Sequence, residues 1–140
     1  MTEKILIDSN ILIYAYNNTS AQYIKSEKII EEALLNATGV VSCQNLAEFS
    51  RVVTEKIPKR FSFEQARNIV LELSQGLEII TYDERTVADA LSISANHGIH
   101  FFDALLVATM EKAGINTIVT ENEKDFKKIN WIKVINPFKI

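Results

Sequence analysis

At 140 residues, with 47% hydrophobic and 24% charged side chains, the chain can bury one core and is short for two, so one domain over residues 1–140 is expected. Four Gly and two Pro exclude collagen-like or low-complexity structure, no apolar run nears the ~20 residues of a membrane span, and MTEKILIDSN lacks the apolar core of a secretory signal. A net charge of −3 excludes a strongly basic overall footprint, and the single cysteine, Cys43, allows no internal disulfide and no zinc site of its own, so a cytoplasmic chain is expected.

In chain order, Lys4–Asp8 (KILID) predicts a buried strand and Asn10–Tyr16 a short apolar helix. Across Ala21–Ala37, Tyr23, Ile29, Ile30, Ala33 and Leu34 recur at helical spacing. Gly39–Ser42 predicts a second strand, and Ser42 can cap the helix that carries Leu46, Phe49, Val53 and Ile57 on one face until Pro58 ends it. Ser62 and Gln65 form a capping box for a helix reaching about Ser74. Leu77–Thr81 is a third strand. Asp83–Asn96 and Phe101–Lys112 are helices with Gly98 and Gly114 near their C-terminal ends. Thr117–Thr120 is a fourth strand and Lys133–Ile135 a short fifth. Strands joined by helical crossovers predict a mostly parallel sheet covered on both faces, a three-layer α/β/α sandwich.

Charge is unevenly placed. Residues 51–60 hold four cations (Arg51, Lys56, Lys59, Arg60) against Glu55, and residues 124–140 hold five (Lys124, Lys127, Lys128, Lys133, Lys139) against Asp125. These segments are either solvated surface or a split phosphate-contacting rim. Two bound divalent cations would turn −3 into +1, so the acidic balance does not exclude an anionic substrate.

Open α/β sheets bind ligands beyond the carboxyl ends of their strands. Asp8 ends the first strand there. Ser42 ends the second, with Glu48 in the helix it opens. Thr120 ends the fourth, followed by Asn122 and Asp125. Asp103 sits in FFDALLVA, the most apolar stretch, near the start of a helix. An unpaired buried carboxylate costs several kcal/mol, and a helix N-terminus offsets only ~0.3–1 kcal/mol. Asp103 therefore needs backbone donors, an arginine or a divalent cation. Asp8 poses the same problem, unless it serves simply as a helix cap. If Asp8, Glu48, Asp103 and Asp125 converge, their repulsion needs a cation or a proton. Glu121 and Glu123 compete with Asp125, which is favoured because burial of the adjacent Phe126 would turn it inward. Thr120 and Asn122 could add neutral oxygens. An all-oxygen set suits Mg²⁺ or Mn²⁺ and not zinc. His97 and His100, between two helices, read as structural or solvated. Cys43 reads as a small buried residue, and Trp131 and the tyrosines as packing groups. A carboxylate-held cation suits phosphoryl transfer, because it lowers the pKa of water and stabilises a leaving oxygen.

In order, DSNIL from Asp8, NLAE from Asn45, FDAL from Phe102 and TENEKDF from Thr120 resemble the PIN-domain ribonucleases, and most nearly the VapC-type toxins of toxin–antitoxin pairs. The resemblance spans nearly the whole chain. It implies a Mg²⁺- or Mn²⁺-dependent endoribonuclease of single-stranded or looped RNA. It also implies homodimerisation and inhibition by a cognate antitoxin laid over the active site. It makes Asp8 and Asp103 the central metal ligands, completed by Glu48 and the last acid, with Asn10 and Thr120 as polar supports. Many relatives carry Asp where this chain has Asn122, so the fourth carboxylate rests on Asp125. A haloacid-dehalogenase phosphatase would need Asp-x-Asp where this chain has Asp8-Ser-Asn10, and a receiver domain would need an acceptor Asp where the third strand ends in Thr81. A catalytically silent RNA- or protein-binding module is the other reading.

Overall fold

The computed structural model describes residues 3–139. It comprises β1 (Ile5–Ile7), α1 (Ser9–Tyr16), α2 (Tyr23–Asn36), β2 (Gly39–Ser42), α3 (Cys43–Glu55), α4 (Phe63–Gly76), β3 (Glu78–Ile80), α5 (Glu84–His97), α6 (Phe101–Ala113), β4 (Thr117–Val119), α7 (Glu123–Phe126) and β5 (Lys133–Ile135). All neighbouring strands pair in parallel, in the order β3-β2-β1-β4-β5. The chain builds outward from β1 through β2 to β3, then crosses to the other side of β1 for β4. That reversal opens a crevice at the carboxyl ends of β1 and β4.

Alternation along each strand feeds two cores. Leu6, Val40 and Ile118 face α5 and α6, packing with Leu105, Met110 and Phe126. Ile7, Val41 and Val119 face the opposite layer, with Ile11, Phe49, Val53 and Leu73. Strands buried on both faces need apolar residues at successive positions, which is why Ile5–Ile7 and residues 40–41 are unbroken apolar runs.

The punctuation behaves as its chemistry requires. Ser42 and Asn45 form a reciprocal capping box at α3, as do Ser62 and Gln65 at α4. Gly98 and Gly114 take left-handed conformations (φ 66° and 73°) just past α5 and α6, where a side chain would be strained.

After β4, residues 123–126 form a helical turn, α7, because fully buried Phe126 pulls it onto the sheet. Two local expectations are corrected. Helix α3 ends at Glu55, before Ile57, although Ile57 remains buried. Cys43 is exposed: it opens α3, whose buried stripe begins only at Asn45 and Leu46. Of the aromatic residues, Tyr14 packs edge-on against Phe138 and Tyr16 against Phe49, while Trp131 is 37% exposed. Among the described residues, no helix is long and apolar enough to cross a membrane.

Candidate metal centre

Asp8 lies at the junction of β1 and α1. The strand runs into the helix without a loop, and Asp8 is the N-cap, its Oδ1 accepting from the Ser9 N–H at 2.7 Å. The same oxygen accepts from Asn45 Nδ2 at 3.2 Å. Oδ2 accepts from Thr120 Oγ1 at 2.8 Å and, at the limit, from Asn10 Nδ2 at 3.5 Å. Asp8 is therefore a cap, as one sequence reading had it, but it takes more donors than a cap needs. Burial pushes its pKa up. The Thr120 and Ser9 hydrogen bonds pull it down, and the charge of Glu48 pushes it up again.

Each neighbour owes its place to a local rule. Thr120 follows β4, paired beside β1, so its hydroxyl meets Asp8 across the crevice. Asn10 Nδ2 donates to Thr120 Oγ1 at 3.2 Å, and Asn10 Oδ1 accepts from the Glu121 N–H at 3.3 Å. Asn45 is the third residue of α3: its Oδ1 accepts from the N–H and hydroxyl of Ser42, which leaves its Nδ2 aimed at Asp8. Glu48, one turn further along α3, accepts a hydrogen bond from the Ser9 hydroxyl and is otherwise exposed.

A second acidic group faces this one. Asp103, in the first turn of α6, is half-buried and receives no hydrogen bond among the described residues. Gln44 Nε2 donates to the Phe102 carbonyl at 2.9 Å, tying the start of α3 to the turn that carries Asp103. Asp125 is 4% exposed, and its Oδ2 accepts from the His100 backbone N–H at 3.1 Å and lies 2.9 Å from the ring nitrogen Nδ1. One ligand atom from each of His100, Asp103 and Asp125 falls within 4.8 Å of the others. Burial, then the neighbouring Asp125, then the charge of Asp8 push Asp103 up to about 7. Burial would raise Asp125 as well, but the hydrogen bond from Asp103 and those from His100 hold it below the usual carboxylate range. One proton is thus shared across the pair, which is how two close carboxylates accommodate each other without a cation.

Other acids near β4 are engaged elsewhere. Glu121 accepts from the Tyr14 hydroxyl, while Glu123 is held by Lys127 and Lys139 at 2.6 Å each. Asp125 is the acid that turns in. Asn122 reaches the crevice through its backbone N–H, which donates to Thr120 Oγ1 at 3.0 Å; its side chain is exposed and makes no hydrogen bond among the described residues. His100, read from the sequence as structural or solvated, lies beside the acids. Its ring is exposed, as a solvated histidine should be, yet it touches Asp125. Its place as the residue before α6, three positions ahead of Asp103, was the available signal. Of the two readings of the lysines over residues 124–140, a phosphate-contacting rim loses members, since Lys127 and Lys139 neutralise Glu123 and Lys128 Nζ donates to the Gly98 carbonyl at 3.2 Å.

The family model of the PIN domain matches residues 5–132. The chain belongs to the PIN-domain family. Among solved structures, it resembles a toxin–antitoxin complex from Klebsiella pneumoniae (19% identity over 98% of this chain and 100% of that one, TM-score 0.69). DNA-bound VapBC from Salmonella typhimurium is similar (21% identity, 97% and 99% covered, TM-score 0.69). So is VapC20 of Mycobacterium tuberculosis, described as a sarcin–ricin loop cleaving toxin (16% identity, 82% and 87% covered, TM-score 0.63). Identities this low establish the shared fold. No curated protein matches the chain.

The donor chemistry of this PIN domain fits a divalent cation. Asp8 and Asp125 are buried, Asp103 is half-buried, and among the described residues no lysine or arginine pairs with these three or with Glu48. Buried carboxylates without a basic partner are expensive, and hard oxygen donors bind Mg²⁺ or Mn²⁺ well.

Proposed function

We propose that this PIN domain is a Mg²⁺- or Mn²⁺-dependent endoribonuclease, the toxin of a cytoplasmic toxin–antitoxin pair, acting on single-stranded or looped RNA. One observation carries the reading. Donor atoms of Asp103, Asp125 and His100 lie within 4.8 Å of one another, the charge of Asp8 acts on Asp103, and among the described residues the only basic group paired with any of these acids is His100. The likeness to toxin–antitoxin complexes and to an RNA-cleaving toxin supports the same reading and the expectation of an antitoxin partner.

Asp8, Asp103 and Asp125 would hold the cation, with Glu48 as a fourth, more exposed carboxylate. When bound, the cation supplies Lewis-acid polarisation of the phosphodiester and a lowered pKa for the attacking water. The protein's own part is orientation. Asn45, Ser9 and Thr120 fix both oxygens of Asp8, and Asn10 fixes Thr120. A homodimer, with an antitoxin segment lying over the crevice, completes the proposal.

The test is cleavage of a mixed RNA pool. The native chain should cut with Mn²⁺ or Mg²⁺ and stop in EDTA, and Asp103→Asn should fold but not cut. Metal-independent cleavage, or full activity of Asp103→Asn, would overturn the reading. RNA binding without cutting would mark a silent module.

A further inference from the structure

We propose that His100 is a metal ligand of this PIN domain, joining Asp103 and Asp125 in a mixed nitrogen–oxygen site that takes Mn²⁺ in preference to Mg²⁺. This rests on the metal-dependent reading above and adds to it a nitrogen donor and a choice of ion.

The spacing is that of a ligand set. A six-coordinate ion with bonds of ~2.1 Å places adjacent ligand atoms about 3 Å apart and opposed ones about 4.2 Å apart. His100 Nδ1 lies 2.9 Å from Asp125 Oδ2, and the donor atoms of all three residues lie within 4.8 Å of one another. A small inward closure lets them share one ion.

The ring has no competing task. The side chain is 89% exposed, so it contributes little packing. As a hydrogen-bonding group it duplicates its own backbone, because the His100 N–H already donates to the same Asp125 oxygen at 3.1 Å. That main-chain bond comes from the N-cap of α6, so it clamps Asp125 whatever the ring does. The ring is therefore free to turn a nitrogen lone pair toward an ion without releasing the carboxylate.

Ion preference follows from donor type. Mg²⁺ holds oxygen ligands and sheds its waters reluctantly, whereas imidazole suits transition cations. A site that joins one imidazole to its carboxylates favours Mn²⁺ over Mg²⁺ more than carboxylates alone would.

The test uses the full chain loaded with Mn²⁺, with ¹⁵N-labelled histidine, read by pulsed EPR. A directly bound imidazole nitrogen should couple to the ion. The coupling should vanish in His100→Ser, a substitution chosen because serine is a good helix N-cap and should preserve α6. It should persist in His97→Ala. By calorimetry His100→Ser should weaken Mn²⁺ on the order of tenfold or more and leave Mg²⁺ nearly unchanged. Mn²⁺ bound at Asp103 with no histidine coupling would overturn the assignment of His100 and leave the nuclease reading standing. Absence of Mn²⁺ and Mg²⁺ binding would overturn both.

Discussion

The two halves of the crevice solve the problem of a buried carboxylate in opposite ways. Around Asp8, the backbone of Ser9, the amide of Asn45 and the hydroxyl of Thr120 donate to both oxygens, and all three donors belong to rigid element ends. Around Asp103 no hydrogen bond arrives from the described residues, and another acid, Asp125, lies beside it. The first half is preorganised by hydrogen bonds. The second is held under repulsion by the packing of α6, and there a cation has most to gain. Scaffold and binding energy are therefore divided between different elements: β1, β4 and α3 fix the geometry, while α6 supplies a carboxylate that no donor among the described residues reaches.

Replacing one acid in each half tests that division most strongly. Asp8→Ala and Asp103→Ala should each reduce RNA cleavage by on the order of 10²–10³-fold or more, the scale of losing preorganised transition-state electrostatics. Their effects on stability should differ in sign. Like-charge repulsion alone predicts that neutralising either acid stabilises the metal-free chain. The structure limits that to Asp103, whose truncation strands no donor and gives up only the hydrogen bond it shares with Asp125. Asp8→Ala strands the Ser9, Asn45 and Thr120 donors, at roughly 1–3 kcal/mol for each left buried and unpaired. Thermal melts in EDTA should show Asp103→Ala melting above the native chain and Asp8→Ala below it. Equal shifts in one direction would erase the distinction between the halves.

Acidity offers a second measure. The pKa of Asp103 rises from the ordinary 3.8 to about 7 in the folded chain, and that of Asp8 rises as well. A raised carboxylate pKa means that the folded state binds a proton more tightly than the unfolded one. The resulting stability is fully present below the unfolded value and is lost as pH climbs through the folded one. Metal-free protein should therefore melt at a lower temperature at pH 8 than at pH 5. Asp103→Ala should flatten that slope, and Mn²⁺ should restore stability at pH 8 by taking the proton's place. A melting temperature that rises from pH 5 to pH 8 without metal would contradict the shared proton.

The hydrogen-bonded half should be sensitive to its supports. Asn45→Ala and Thr120→Val each remove a donor to Asp8 without removing a proposed ligand. A loss of metal affinity or cleavage of about 10–100-fold is the usual scale for such outer contacts. Calorimetric titration of the two variants with Mn²⁺ checks it, and unchanged affinity would mean that Asp8 is held by the β1–α1 junction alone.

What could be read from the chain followed the range of each interaction. Layer order, caps and strand ends are local, so Ser42, Ser62, Gly98 and Gly114 announced themselves. Asp8, Thr120 and Asp103 were legible because strand ends and an acid in an apolar helix are unusual settings. Asn45 was quoted within NLAE, but its double task was hidden. Its amide bonds Ser42 locally and Asp8 across 37 residues, and only the second contact requires the fold. The His100 ring is exposed, as a solvated histidine's would be, and its contact with Asp125, 25 residues away, is one that only the fold reveals. Cys43 was misplaced because the helix turns it outward at its first residue.

The smallest expected effect concerns the basic segments. Residues 124–140 read from the sequence as either solvated surface or part of a phosphate-contacting rim, and Lys127 and Lys139 both sit 2.6 Å from Glu123. Ions already paired gain little from an RNA phosphate, so the double substitution Lys127→Ala, Lys139→Ala should change RNA affinity less than twofold and leave its salt dependence alone. Arg51 differs. It is exposed, three residues beyond Glu48 on α3, and so shares that acid's face of the helix. A phosphate contact there would release a counterion, and Arg51→Ala should lower the slope of log affinity against log salt by about 0.7, the single-strand value per contact. Measuring both slopes on a catalytically inactive Asp103→Asn background separates binding from cleavage. A larger change at Lys127 and Lys139 than at Arg51 would place the RNA path on the α7 side of the crevice instead of along α3.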